Sequence, residues 1–306
     1  MLEYDVVIVG AGPGGLTAGM YSARANLKAI AIEKFIPGGQ IANTEMVEDY
    51  PGFEHIEGHE LAKRMENHAR KFGLEIANDN VIEIYSEDRY KIVKADDKIY
   101  RARAVIVATG GQPRKLGIPG ELELAGRGVS YCAICDGAFF KGENIAVVGG
   151  GDAAVEEGAF LTKYGKRVYI IHRRDQLRAQ KIIQDRAKRN EKIEFVLDSV
   201  PLKINGQKKV ESITVKNIKT NQVRDIAVGA AFPFIGFVPN SNFFRDPVKK
   251  DELGYIITDE NMQTSIKGIW AIGDVRKQLC KQVTNAVGDG TTAAVAADKY
   301  LETWDD

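Results

Sequence analysis

The feature that most restricts the fold is a pattern the chain carries twice. Residues 5 to 15 read D-V-V-I-V-G-A-G-P-G-G and run into L-T-A-G-M-Y-S-A-R-A: a short apolar run, a glycine cluster, then a stretch of helical composition. Such an apolar run suits a strand buried on both faces, and the glycines after it meet three separate demands of a strand-to-helix turn. Gly10 permits the tight turn, Gly12 lets the backbone approach a pyrophosphate, and Gly15 lets helix and strand pack closely. The helix start adds amide donors and a favourable dipole. This is the opening of a Rossmann unit. The pattern returns as N-I-A-V-V-G-G-G-D-A-A-V-E-E, with Gly149, Gly151 and Ala154 in the three positions. A chain of 306 residues with two dinucleotide fingerprints is expected to form two domains.

The residues beyond each fingerprint assign the nucleotides. After the first, K-A-I-A-I-E ends at Glu33, close to the interval of about 20 residues expected of an acid that hydrogen-bonds a ribose. After the second, R-V-Y-I-I leads into H-R-R-D-Q-L-R. Arg173 and Arg174 stand where an acid would otherwise be, and Arg178 follows a turn later. Guanidinium groups bind a 2′-phosphate through charge-assisted, often bidentate hydrogen bonds, although a basic run also occurs as plain solvated surface. The first site therefore suits FAD or NAD, and the second suits NADP.

Other stretches complete an α/β plan. A-V-I-V-A-T-G-G at 104 to 111 and A-A-F-P-F-I-G-F-V-P-N at 230 to 240 read as buried strands, and I-W-A-I-G-D-V as a strand whose carboxyl end presents Asp274. Ligands of open α/β sheets sit at such ends, and a helix cap would look similar. The glycine patterns lie further apart than one βαβαβ half requires, and a strand and an Ala-rich helix follow the arginine segment. The second domain is thus expected as an insertion in the first, with borders in the turn-rich segments 110–120 and 239–242.

Lys plus Arg (42) equals Asp plus Glu (42), which leaves no overall field to hold nucleic acid or an anionic membrane. The first ten residues hold only a short apolar run and no basic leader, so neither signal peptide nor transmembrane span is expected and a cytoplasmic location is. Three cysteines do not make a disulfide scaffold. In a reducing compartment the close pair in C-A-I-C-D, residues 132 to 136, points to catalysis or metal binding. Zinc would need two further ligands; no second C-x-x-C is present, His172 lies beside arginines, and His55, His59 and His68 belong to an early polar segment, so no metal site is expected.

Taken in order, G-A-G-P-G-G, P-G-G-Q, A-T-G, C-A-I-C-D-G, G-G-G-D-A-A-V-E-E, H-R-R-D-Q-L-R-A, I-G-F-V-P-N and A-I-G-D-V resemble the low-molecular-weight thioredoxin reductases over nearly the whole chain. The most specific element is C-x-x-C-D just before a second Rossmann fingerprint. The resemblance implies a homodimeric enzyme that passes electrons from NADPH through FAD to the C-x-x-C pair and on to thioredoxin or a related disulfide protein. It implies two Rossmann-like three-layer domains, an FAD domain of residues 1–112 and 243–306 and an inserted NADPH domain, 113–242, that carries the cysteines and swivels about the borders. It makes Gly10, Gly12, Gly15 and Glu33 FAD-binding, Gln40 and Asp274 flavin contacts, and Gln282 a neighbour of the isoalloxazine. It matches Gly149, Gly151, Arg173, Arg174 and Arg178 to the NADPH site. Cys135 would face the flavin and Cys132 would attack the partner's disulfide. Asp136 would serve as general acid and base, or only as a cap. Arg127, Phe139 and Phe140 would seat the partner, or the two Phe would be core. The chain departs from the family pattern at Asp49, Ala153 and Lys281, and Cys280 is expected as an unpaired buried thiol.

Overall fold

The structure, a computed structural model, describes residues 1–44 and 46–304. The chain divides into two compact units, Met1–Gln112 with Val238–Asp306, and Pro113–Phe237.

In the first unit the strands Glu75–Asn78, Ala29–Glu33, Leu2–Val9, Ile99–Val107 and Ile269–Ala271 lie side by side and parallel. Burial alternates along them. Val6, Ile8, Ala104 and Ile106 pack with Leu16, Ala293 and Ala297 of the helices Pro13–Arg24 and Val283–Glu302. Val7, Val9, Val105 and Val107 pack on the opposite side with Ile84 and Val93 of the hairpin Val81–Glu87 and Tyr90–Ala95. Near-continuous apolar runs are what a sheet covered on both faces requires.

The second unit repeats this plan. Ile193–Val196, Arg167–Ile171, Asn144–Gly149 and Ala230–Phe234 form a parallel sheet in that order. Ile145, Val147 and Ile170 meet Ala154 and Leu161 of the helix Asp152–Leu161. Ala146, Val148 and Ile171 meet Ile204, Ile213 and Val215 of a three-stranded antiparallel sheet. In each unit the strand before the glycine turn is central, so the turn opens at the carboxyl edge where ligands of such sheets bind.

Residues 238–242, expected with the inserted domain, lie in the first unit. Asn240 accounts for this: its backbone N–H donates to Gly110 O (3.0 Å), its Nδ2 donates to Thr109 O (3.0 Å), and its carbonyl accepts from Thr109 Oγ1 (2.6 Å). Within the inserted unit the ends meet as Arg114 N donates to Gly236 O (2.9 Å). No helix among the described residues is long and apolar enough to cross a membrane.

Candidate active site

The first glycine turn is a bare cradle. Gly10 holds a left-handed φ of +100°, and a Cβ on Gly15 would fall 2.0 Å from Gly10 O, so helix Pro13–Arg24 sits against the strand only because Gly15 has no side chain. Around Gly12, by contrast, a Cβ would meet nothing nearer than Gly39 Cα at 3.9 Å. The P-G-G-Q segment closes one wall, with Gly38 N donating to Ala11 O at 2.8 Å. Glu33 ends its strand with both carboxylate oxygens in place: Oε2 accepts from Ala11 N at 2.7 Å and Oε1 from Phe35 N at 3.0 Å. Each oxygen keeps acceptor capacity for a ribose hydroxyl. Open helix amides, a glycine floor and a fixed carboxylate together fit an adenine dinucleotide.

Three further predicted contacts lie in the same unit. Gln40 is exposed and its Nε2 donates to Gly111 O at 3.3 Å. Asp274 falls inside the short 3₁₀ turn Gly273–Val275, not at its cap. Burial pushes its carboxyl up from the ordinary value; Lys281 opposes this and Asp289 adds to it. Gln282 is the N-cap residue of helix Val283–Glu302, and its side chain makes no capping bond.

The second turn has the same geometry with other chemistry. A Cβ on Gly149 would lie 2.2 Å from Phe234 O, while around Gly151 there is nothing within 4 Å. The arginine loop folds back onto this turn: Arg178 N and Ala179 N both donate to Gly150 O, at 2.6 and 3.0 Å. Asp152 fixes the loop from the helix start by accepting from Gln180 N at 2.7 Å. Arg173, Arg174 and Arg178 are exposed and have no ion-pair partner among the described residues, so their donors remain for an anion. His172 is buried beneath Gly150. Burial, with Arg178, Arg174 and Arg173 nearby, holds its imidazole below the ordinary value.

In the same unit Cys132 and Cys135 are joined as a disulfide, with Cα atoms 5.4 Å apart. Cys132 caps the one-turn helix Ala133–Asp136 with its sulfur, which accepts from Cys135 N at 3.2 Å. Ser130 holds the approach: its N donates to Ala231 O, and its Oγ accepts from Cys132 N at 3.1 Å. Asp136 makes no capping bond to the 3₁₀ turn that follows it. With Arg127, Ser130, Phe139, Phe140 and Lys209 it lines a cleft of about 330 Å³. Phe139 is 80% exposed, whereas Phe140 packs edge-on against Phe232 at 5.9 Å, so the aromatic pair divides between surface and core.

Two features around these sites carry no sequence signature. Glu121, 1% exposed, accepts from Leu116 N and Gly117 N (2.8 Å each) and from Tyr131 OH (2.7 Å), beside Cys132. Cys280, expected buried, is exposed; it follows Leu279, which is fully exposed, in a loop that projects both side chains from the core.

Residues 4–290 match the family model described as pyridine nucleotide-disulphide oxidoreductase. The chain is 49% identical to a thioredoxin reductase of Bacillus subtilis over 300 residues, covering 98% of this chain and 95% of that one. The crystal structure of a Lactococcus lactis thioredoxin reductase matches with a TM-score of 0.96 at 49% identity, covering 98% and 99% of the two chains. That of a T. acidophilum thioredoxin reductase matches with a TM-score of 0.95 at 33% identity, covering 99% and 100%. Likeness of this extent, on a fold with two dinucleotide cradles and a C-x-x-C disulfide, settles the relationship: the chain belongs to the pyridine nucleotide-disulphide oxidoreductases and, within them, to the thioredoxin reductases, flavoprotein oxidoreductases that use FAD and NADPH.

Proposed function

We propose that the chain reduces the disulfide of thioredoxin or a thioredoxin-like protein at the expense of NADPH, with FAD held in the first unit and NADPH in the second. The observation that carries this reading is the Cys132–Cys135 disulfide in the same unit as an arginine-rimmed glycine turn. Bound FAD supplies two-electron chemistry between the hydride of NADPH and this disulfide.

The chain's own residues do the rest. Gly10, Gly12, Gly15 and Glu33 hold the pyrophosphate and ribose of FAD, with Gln40, Asp274 and Gln282 toward the ring. Gly149 and Gly151 take the pyrophosphate of NADPH, and Arg173, Arg174 and Arg178 its 2′-phosphate. In the reduced pair, a thiolate on Cys132 is stabilised by the Cys135 N–H that already points at its sulfur. This thiolate attacks the partner's disulfide, and one partner sulfur leaves, taking from Asp136 the proton that Asp136 accepted when the Cys132 thiol ionised. Cys135 then attacks Cys132 Sγ, restoring the internal disulfide and freeing the second partner thiol. Phe139 and Arg127 in the adjoining cleft suit an interface anchor. Rotation of the inserted unit about the passages at Gln112–Pro113 and Phe237–Val238 lets one flavin serve both reactions in turn. Homodimeric assembly, carried over from the family resemblance, and a cytoplasmic location complete the reading.

Stopped-flow absorbance tests the scheme. NADPH is expected to bleach the flavin, and oxidised thioredoxin to restore its colour only when Cys132 and Cys135 are both present. Full recovery in Cys132→Ser/Cys135→Ser would refute it.

A further inference from the structure

Behind Asp274 lies an ion pair that no motif announces. Asp289 stands on helix Val283–Glu302 and is only 6% exposed. Its Oδ2 accepts from Gly273 N at 3.0 Å and from Arg276 Nε at 2.8 Å, and its Oδ1 from Arg276 Nη2 at 3.3 Å. Arg276 also donates from Nη1 to Thr258 Oγ1 at 2.9 Å and from its backbone N–H to Gly273 O at 3.1 Å. One buried carboxylate therefore ties down both the first amide of the turn Gly273–Val275 and the residue that follows it. On the other side Lys281 Nζ donates to Asp274 O at 3.0 Å.

A carboxylate this deeply buried is tolerated only when paired and hydrogen-bonded. Here that arrangement serves a three-residue turn with a left-handed Gly273 (φ +65°) at its start and Asp274 at its middle. Asp289 adds to the upward push that burial gives the Asp274 carboxyl, and the Arg276 guanidinium lies 2.8 Å from Asp289 itself.

We propose that Asp289 and Arg276 are positioning residues for the flavin: their ion pair holds Gly273–Val275 in the conformation that presents the Asp274 carboxylate to the cofactor. The proposal rests on the reading of Asp274 as a flavin contact, and it extends that contact to a side chain on a different element.

The test compares full-length Asp289→Asn, Arg276→Gln and the double variant with the unsubstituted protein. FAD affinity is read by fluorescence titration of deflavinated protein, and the environment of the ring by the visible bands of the bound flavin. Binding of adenosine 2′,5′-bisphosphate reports on the other unit. Asp289→Asn is expected to bind FAD at least fivefold more weakly, with shifted flavin bands and unchanged bisphosphate binding. Arg276→Gln, which strands a buried charge, is expected to lose more, and the double variant to recover part of that loss. FAD affinity of Asp289→Asn within fivefold of the unsubstituted protein overturns the proposal. So does a parallel loss of bisphosphate binding, which marks general loosening, or a double variant no better than Arg276→Gln. Should a single variant not fold, the double variant decides by the same fivefold limit. An unsubstituted protein that takes up no FAD would instead overturn the reading of the site itself.

Discussion

The two glycine turns have one backbone plan and opposite terminal chemistry. In the first, the deciding residue is an acid whose two oxygens are already fixed by Ala11 N and Phe35 N. In the second it is a set of three exposed arginines with no ion-pair partner among the described residues. A fixed acceptor loses little entropy on binding, whereas long mobile cations must be ordered each time. The fold thus repeats one glycine turn, and a fixed acceptor in the first against unpaired, exposed cations in the second is the difference that the proposed FAD and NADPH sites would use.

The largest effect comes from erasing the charge difference. Arg173→Ala/Arg174→Ala/Arg178→Ala is expected to lower kcat/KM for NADPH on the order of 1,000-fold, about tenfold for each exposed charge-assisted bond, and to leave the rate with NADH unchanged. Steady-state kinetics with both nucleotides checks this, and an equal fall with NADH would end the comparison. Next comes the shared scaffold. Gly15→Ala forces a methyl against Gly10 O and is expected to cost about 3 kcal/mol, or roughly 10 °C in melting temperature. Gly151→Ala enters open space and is expected to stay within about 0.5 kcal/mol while still obstructing NADPH. Calorimetry set beside nucleotide titration separates the two.

A smaller effect is expected for Glu33→Gln. Its amide can accept only one of the two backbone bonds and turns an NH₂ against the other donor, weakening FAD binding about tenfold with no change in KM for NADPH; equilibrium dialysis reads the first and kinetics the second. The smallest is the response to salt. Between 0.1 and 1 M the Debye length falls from about 10 to about 3 Å, so KM for NADPH should rise a few-fold while the flavin-to-protein ratio stays constant. A flavin content that fell in step would contradict the assignment of rigid and mobile sites.

The architecture was legible because its signals are local. Gly10, Gly12 and Gly15 lie within one turn, and Gly149 and Gly151 within another, so the pattern alone foretells both strand-to-helix units that the fold contains. What escaped depends on individual hydrogen-bond partners, often backbone atoms, that leave no compositional trace. Asn240 finds Thr109 and Gly110, tying residues 238–242 to the first unit. Glu121 is satisfied by two backbone amides and a tyrosine, and Asp289 reaches Gly273 and Arg276 across a loop. Cys280, expected buried from the habits of its residue type, is exposed beside the fully exposed Leu279.

The bond between Arg114 N and Gly236 O, 2.9 Å long, has a consequence for modularity. A cassette whose entrance and exit are adjacent can be lifted out and its host rejoined by a short bridge, without stretching either piece. Grafting a foreign nucleotide module onto the same two stubs is therefore an engineering problem of a few linker residues.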